Sequence, residues 1–218
     1  MIGFYNYTVI LTYMSLASSV LGMILAFNGH FRLAIMCLAL SGLFDMFDGK
    51  VARTKKNRSE DEKMFGVQLD SLCDVVCFGF YPAILCYSLG MRGYVAIAVI
   101  VFYVTCAVIR LAFFNVLEIN RQKVEGGANK FYHGLPVTSI AVILPIVFLL
   151  NFMMSIEMFY LVLVFTFAIT GLAFIIDFKL RKPNNKELFI LVIIVAVVVI
   201  ASLNYRNYVM IHPPTFFY

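Results

Sequence analysis

Long apolar runs, separated by short charged segments, dominate the hydrophobicity pattern of the chain. A helix that spans a membrane needs about 20 mostly apolar residues. The second and third runs are shorter, so we expect those helices to continue across the charged segments Asp45–Arg53 and Asp70–Asp74. The pattern predicts an all-α, polytopic membrane bundle of about seven transmembrane helices, forming one integral membrane domain over residues 1–218. The uncharged runs lie at Thr8–Phe27, Leu33–Phe44, Val75–Met91, Tyr94–Ile109, Gly134–Ile156, Met158–Ile176 and Leu188–Tyr205.

The composition excludes a soluble domain. Of the 218 residues, 62% are hydrophobic and 13% are charged, which is more apolar surface than one soluble core of this length can bury. The same values exclude intrinsic disorder, which requires low hydrophobicity and high charge. The net charge is +5, but the Lys and Arg residues lie between the apolar runs, as they do at membrane boundaries. We therefore expect membrane lipids, and no nucleic acid, as partners.

The distribution of basic residues predicts the orientation in the membrane. Lys and Arg concentrate in the loops after the second, fourth and sixth helices, whereas the opposite side has only Arg32, Arg92 and Arg206. The side rich in basic residues is normally cytoplasmic. We therefore expect a cytoplasmic N-terminus and, with an odd number of helices, an external C-terminus. Met1–Tyr7 contains no basic residue, so we expect the first apolar run to be retained rather than cleaved as a signal peptide.

Four aspartates interrupt the second and third helices. Asp45 and Asp48 are three residues apart, and Asp70 and Asp74 are four apart, so each pair shares one helical face. A loop of about 16 residues allows the two helices to pack as an antiparallel hairpin, which brings the pairs together at the cytoplasmic end. Four mutually repelling carboxylates at the hydrocarbon edge require cations, and oxygen ligands suit Mg²⁺, Mn²⁺ or Ca²⁺ rather than Zn²⁺.

The neighbouring residues indicate phosphate chemistry. Gly49 and Gly66 have no side chains and allow a ligand to approach the backbone closely. Arg53 follows Gly49 by one helical turn and offers a planar guanidinium to phosphate oxygens. Two bound metal ions can hold a diphosphate, while a spare carboxylate takes a proton from an attacking alcohol. These features predict a metal-dependent enzyme that acts on a diphosphate at the cytoplasmic membrane surface.

Two motifs carry a family resemblance. The pattern Asp45-x-x-Asp48-Gly49-x-x-Ala52-Arg53, followed by Gly66-x-x-x-Asp70-x-x-x-Asp74, resembles the signature of the CDP-alcohol phosphotransferases. These membrane enzymes join a CDP-linked lipid to an alcohol and release CMP. The segment Leu69–Gly79, with Pro82 just after it, is similar to the phosphatidylserine synthase branch. The resemblance covers roughly residues 8–140 and implies CDP-diacylglycerol and L-serine as substrates, Mg²⁺ or Mn²⁺ as cofactor with Ca²⁺ as an alternative occupant, and a homodimer.

The resemblance also implies roles for individual residues. Three aspartates would bind the metal ions, and Asp74 would act as the general base and as a further ligand. Arg110 is basic and lies well inside an apolar run, so we expect it to face a polar pocket and an anionic group. The implied metal ligands are Asp45, Asp48 and Asp70; the implied CDP contacts are Gly49, Ala52, Arg53 and Gly66; the candidate acceptor contacts are Arg110, Asn115, Lys130 and His133.

Departures from the family pattern leave alternatives open. The segment Thr54–Phe65 has twelve residues, more than the family usually has, and we interpret Ser59–Lys63 as an insertion in the cytoplasmic loop. Phe113 and Thr138 stand where the serine branch usually has Arg and Pro, which affects acceptor specificity more than reaction type. The alternatives are another acceptor, such as glycerol 3-phosphate or an inositol phosphate, or an archaeal-type ether lipid donor. A cation transporter is the alternative from another class.

Overall fold

The fold is given by a computed structural model, which describes residues 3–52, 54–55, 58–123, 131–181 and 185–204. Apart from one small antiparallel sheet, the regular elements of these residues are helical. Short 3₁₀ turns precede α1 and α6, and a π-helical segment joins α3 to α4. The elements are α1 (Ile10–Phe27), α2 (Phe31–Ala52), α3 (Glu60–Asp74), the π-helical segment (Val75–Phe80), α4 (Tyr81–Ser88), α5 (Tyr94–Lys123), β1 (Phe131–His133), α6 (Ile140–Leu150), α7 (Ile156–Ile175), β2 (Lys179–Arg181) and α8 (Asn185–Asn204).

The helices confirm the predicted all-α membrane bundle. Within the described residues, four helical stretches are long and apolar enough to cross a membrane, namely Tyr7–Phe27, Glu60–Ser88, Tyr94–Glu118 and Ile156–Ile175. Two shorter apolar stretches, around α6 and α8, accompany them. Helix α2 has 22 residues and contains Asp45, Asp48 and Lys50, the charged positions of the predicted extension as far as Ala52. The chain is an integral membrane protein.

The third helix begins earlier than predicted. Ser59 caps it by accepting a hydrogen bond from the Glu62 backbone N–H, while the Glu62 side chain accepts one from the Ser59 backbone N–H. This reciprocal pair satisfies two backbone donors that a helix start leaves free. Residues 60–63 form the first turn of α3, so this stretch is helical and does not lengthen the loop; its interpretation as an insertion stays a prediction. The connection between α2 and α3 is correspondingly short.

The fifth apolar run is shorter as a helix than its length suggests. Gly134 has a φ of +73°, a conformation that glycine adopts without steric cost, and its N–H donates to the Phe178 carbonyl at 2.8 Å. Pro136 follows, and the helical region then runs from Val137 to Leu150. Just before Gly134, β1 pairs with β2 in antiparallel register, with Tyr132 opposite Leu180. This sheet joins the loop after α5 to the loop after α7.

The core forms where α1, α2 and α4 pack together and where α5 packs against α7. Gly22 on α1 faces Tyr81 on α4, and a side chain at Gly22 would overlap the Tyr81 hydroxyl. That hydroxyl donates to the Ala34 carbonyl on α2. Small residues allow such close helix approach in membranes. All five cysteines are free and buried, as packed thiols should be.

The π-helical segment lies directly after Asp74 and has an identifiable local cause. Pro82 has no N–H to offer the Phe78 carbonyl four residues earlier. The Tyr103 hydroxyl on α5 donates to that carbonyl at 2.6 Å, and Tyr103 is itself fully buried. Short π-helical interruptions often occur at functional sites. This one is anchored to α5 and sets the path of the helix that carries Asp70 and Asp74.

Candidate active site

Three carboxylates converge between α2 and α3. Asp45 lies two turns before the end of α2, and Asp70 and Asp74 lie on one face of the last turns of α3. One oxygen of each carboxylate lies within 4.8 Å of the other two, and all three side chains are partly buried. The structure thus brings Asp45 together with Asp70 and Asp74, which lie 25 and 29 positions later in the sequence, as predicted.

Asp48 stands beside this trio and is held from α1. The Thr12 hydroxyl donates to Asp48 Oδ2 at 3.1 Å, and both side chains are buried. The Asp48 carboxylate also contacts that of Asp70. A hydroxyl donor restricts the rotation of a carboxylate and stabilises its charge. Thr12 therefore orients Asp48 toward the cluster.

Helix α1 supports the cluster from behind. It packs closely against both α2 and α3, whereas the described parts of α2 and α3 make few or no close backbone contacts with each other. The two helices of the predicted hairpin, α2 and α3, therefore approach each other mainly through their carboxylates. Below them, Ser15 bonds to Ser41 Oγ at 2.8 Å and donates to Cys77 Sγ at 3.6 Å. These buried hydroxyls tie α1 to α2 and to the π-helical segment after Asp74.

The donor set fits a hard divalent cation. The atoms that converge are carboxylate oxygens, which suit Mg²⁺, Mn²⁺ and Ca²⁺. Among the described residues the converging group contains no cysteine, and the buried Cys77 thiol accepts a hydrogen bond from Ser15. Carboxylates this close repel one another strongly in a partly buried site. A bound cation removes this repulsion, so the cluster has the composition of a divalent-metal site.

On α5, Asn115 faces the helix that carries the acids. Ser71, which follows Asp70 directly, donates to Asn115 Oδ1 at 2.6 Å. Since Oδ1 accepts this bond, the amide Nδ2 remains the donor end of the Asn115 side chain. Asn115, a predicted acceptor contact, thus contacts the residue next to a cluster aspartate.

Arg110 is buried on α5, as the sequence predicted, and its Nε donates to the Leu135 carbonyl at 3.3 Å. Leu135 N–H donates in turn to the Ala173 carbonyl on α7 at 3.0 Å. Arg110 therefore binds the segment that follows His133. The backbone of His133 lies in β1, opposite Lys179.

The remaining predicted residues divide into two groups. Gly49 and Ala52 lie in the last turn of α2, with Gly49 exposed, and Gly66 lies on α3 one turn before Asp70. Arg53 and Lys130 are outside the described residues.

The sequence model of the CDP-alcohol phosphatidyltransferase family matches residues 5–170, which include every residue of this site. The chain belongs to that family. It is 36% identical over 144 residues to the archaetidylserine synthase of Methanothermobacter thermautotrophicus, covering 66% of this chain and 58% of the relative. It is 38% identical over 109 residues to the CDP-diacylglycerol–serine O-phosphatidyltransferase of Saccharomyces cerevisiae, covering 49% and 38%.

A third relative matches over a longer stretch. The CDP-diacylglycerol–serine O-phosphatidyltransferase of Methanocaldococcus jannaschii is 32% identical over 174 residues, covering 80% of this chain and 74% of the relative. The first two matches span about half of those relatives' own lengths, at 58% and 38%. The family resemblance predicted from the signature at residues 45–74 is confirmed.

Two residues of this site in the CDP-alcohol phosphatidyltransferase domain, Thr12 and Ser71, were not predicted from the sequence. Thr12 is a single hydroxyl in an apolar run, and Ser71 stands between two motif residues. Both are small polar residues in stretches assigned to the membrane, where a hydroxyl needs a partner. The need for a hydrogen-bond partner could have marked both hydroxyls as candidates. Each partner, however, lies on another helix, 36 residues away for Thr12 and 44 residues away for Ser71.

Proposed function

We propose that the chain is a phosphatidylserine synthase, which transfers a phosphatidyl group from CDP-diacylglycerol to the hydroxyl of L-serine and releases CMP. The observation that carries this proposal is the convergence of Asp45, Asp70 and Asp74 within 4.8 Å. These residues belong to the signature of a family in which the three relatives described above are named for serine transfer. The position of this cluster at one end of the bundle suits a lipid donor and a water-soluble acceptor.

The four aspartates are proposed to hold the divalent cations. Asp45, Asp48 and Asp70 act as ligands, and Asp74 serves as a ligand and as the base. Bound Mg²⁺ or Mn²⁺, with Ca²⁺ as an alternative occupant, would neutralise the diphosphate and the charge that develops on the leaving phosphate. This assignment is supported by the all-oxygen donor set.

The proton transfer is assigned to Asp74. Its carboxylate takes the proton from the serine hydroxyl, and the serine oxygen forms a bond to the β-phosphorus that carries the lipid. The bond from this phosphorus to the bridging oxygen breaks, and CMP leaves with the bonding electrons. Asp74 is the last residue of α3 and lies on the same helical face as Asp70, directly before the π-helical segment. This position supports its assignment as the base.

Binding roles are proposed for the other predicted residues. Small residues on α2 and α3 let the cytidine diphosphate lie against the helices, and a basic side chain binds its phosphates. Basic and amide groups around α5 hold the serine, with Asn115 supported by its bond to Ser71. The proposed CDP contacts are Gly49, Ala52, Arg53 and Gly66, and the proposed acceptor contacts are Arg110, Asn115, Lys130 and His133.

One second candidate concerns the lipid donor. The relative from Methanothermobacter thermautotrophicus is named an archaetidylserine synthase, which suggests the same transfer to serine from an ether-linked CDP lipid. The proposed cluster acts on the diphosphate, which both donors share. The two candidates therefore differ only in the lipid tails.

We further propose that residues 1–218 form one membrane domain with the site and the N-terminus on the cytoplasmic side. The supporting observation is the concentration of Lys and Arg in the loops after the second, fourth and sixth helices. A homodimer is proposed from the family resemblance.

The test is a CMP-release assay with the purified protein in mixed micelles. CDP-diacylglycerol and its ether-linked counterpart are supplied separately, each with L-serine, glycerol 3-phosphate or inositol phosphate, with and without Mn²⁺. Release that requires both Mn²⁺ and serine supports the proposal. Release with another acceptor alone would retain the chemistry and refute the serine assignment, and absence of release with every pair would refute the enzymatic function.

A further inference from the structure

Arg58, just before the start of α3, has an unusual position. Its Nη2 atom donates to the backbone carbonyl of Glu62 at 3.2 Å. Its Nε atom is buried and has no hydrogen-bond partner among the described residues. A buried donor without a partner is costly, more so when the group is charged. The geometry therefore calls for an acceptor that the described part of the chain does not supply.

Two of the three acids in the first turn of α3, Glu60 and Glu62, are already paired with lysines. Lys55 Nζ lies 3.0 Å from Glu62 Oε1, and Lys63 Nζ lies 2.7 Å from Glu60 Oε1. Arg58 bonds to the Glu62 backbone rather than to its carboxylate. An arginine whose planar donors are not bonded to carboxylates is suited to bind a phosphate through two parallel hydrogen bonds.

The guanidinium lies directly over Gly66. A Cβ atom at this position would lie 2.7 Å from Arg58 Nη2. Any residue other than glycine would therefore displace the Arg58 side chain. Gly66, Asp70 and Asp74 are spaced by four residues and share one face of α3. Each step of four residues rises about 6 Å. The Arg58 guanidinium therefore lies on the face of α3 that carries Asp70 and Asp74, one helical turn before Asp70.

We propose that Arg58 is a phosphate-binding residue for the nucleotide part of the substrate. In this arrangement the diphosphate is held between the metal-binding carboxylates and the Arg58 guanidinium, whose Nε–H and Nη–H groups donate to phosphate oxygens near Gly66. This inference rests on the proposed function, because it assumes a cytidine diphosphate at the site. It gives Arg58 a role that the family signature does not assign.

The test measures binding of CDP, in the presence of Mn²⁺, to the purified full chain in detergent by titration calorimetry. Arg58→Gln should weaken CDP binding at least about tenfold, since hydrogen bonds to charged groups are the stronger class. Arg58→Lys keeps the charge but not the planar donors, so it should fall between the wild type and Arg58→Gln. The wild-type Kd should also rise more steeply with salt than that of Arg58→Gln.

Lys63→Gln is the matched control. It removes one positive charge from the first turn of α3, close to Arg58 in sequence, and Lys63 pairs with Glu60 on that helix. Its CDP affinity should equal that of the wild type. Thermal unfolding of each variant without nucleotide separates a change in stability from a change in binding.

The outcomes are distinguishable. If Arg58→Gln binds CDP as tightly as Lys63→Gln does, Arg58 has only a structural role at the start of α3 and the inference is overturned. Tighter binding by Arg58→Gln would show that Arg58 obstructs the site, which also overturns it. Failure of the wild type to bind CDP would overturn the proposed function together with this inference, whereas normal CMP release with unchanged affinity in Arg58→Gln would overturn the inference alone.

Discussion

Replacing Thr12 by Val tests whether α1 takes part in metal binding. The side chains have nearly the same shape, so the substitution removes the hydroxyl that donates to Asp48 Oδ2 at 3.1 Å and leaves the packing. Both residues are buried, and water cannot readily replace the lost donor. The Asp48 carboxylate then loses its fixed orientation beside Asp70.

The expected loss of Mn²⁺ affinity in Thr12→Val follows from two independent ranges. A hydrogen bond to a charged group contributes about 1.5–3 kcal/mol, which corresponds to roughly a 10- to 150-fold change in a binding constant. Loss of a group that orients a metal ligand typically costs about 10- to 100-fold in metal affinity. We therefore expect Thr12→Val to weaken Mn²⁺ binding about 10- to 100-fold.

The assay is titration of the purified protein with Mn²⁺, with the free ion followed by electron paramagnetic resonance. Thr12→Ser keeps a hydroxyl and should restore most of the affinity. Ser18→Ala is the matched control, because it removes another α1 hydroxyl, bonded to the Cys37 carbonyl on α2 at 2.9 Å, away from the acids. Equal Mn²⁺ affinity for Thr12→Val and Ser18→Ala would refute the orienting role of Thr12.

Three further predictions concern other parts of the structure. Asp74→Asn should lower CMP release about 10²- to 10⁴-fold, the usual contribution of a general base, while the protein still folds and binds Mn²⁺; normal turnover would refute the base assignment. Gly22→Ala should lower unfolding stability by about 1–3 kcal/mol, measured by thermal unfolding, because the methyl group overlaps the Tyr81 hydroxyl; an unchanged melting temperature would contradict this packing. Ser71→Ala releases Asn115 Oδ1 and should raise the KM for serine without changing Mn²⁺ affinity, and a fall in Mn²⁺ affinity alone would argue against an acceptor role.

Much of the site was predictable because its chemistry is local in sequence. The spacing of Asp45 and Asp48, and of Asp70 and Asp74, places each pair on one helical face whatever the rest of the fold does. The cost of carboxylates in a membrane then predicts that the two pairs share cations. Arg110 was predicted to face a polar pocket and an anionic group for the same energetic reason.

Other features depended on competing local or distant contacts. The start of α3 was missed because the charges of Ser59–Lys63 resemble a loop, although Ser59 and Glu62 have the spacing of a capping box. The break before α6 depends on Gly134 and on its backbone bond to Phe178. These features follow from backbone hydrogen bonds, which a pattern of apolar residues does not reveal.

Residues that act through another helix were beyond sequence reasoning. Thr12 has a polar side chain in an apolar run, but only the packing of α1 against α2 shows that its partner is Asp48. Arg58 likewise appeared to be one basic residue among several in a cytoplasmic segment. Its position over Gly66 is visible only in the three-dimensional structure.

The most direct test of the central claim is incorporation of isotope-labelled L-serine into extractable lipid by the wild type and by Asp70→Asn, each with and without Mn²⁺. Asp61→Asn, which removes an exposed carboxylate from the first turn of the same helix, is the control. The account predicts Mn²⁺-dependent incorporation by the wild type and Asp61→Asn, and background incorporation by Asp70→Asn. Undiminished incorporation by Asp70→Asn would contradict the claim that the converging carboxylates perform the reaction.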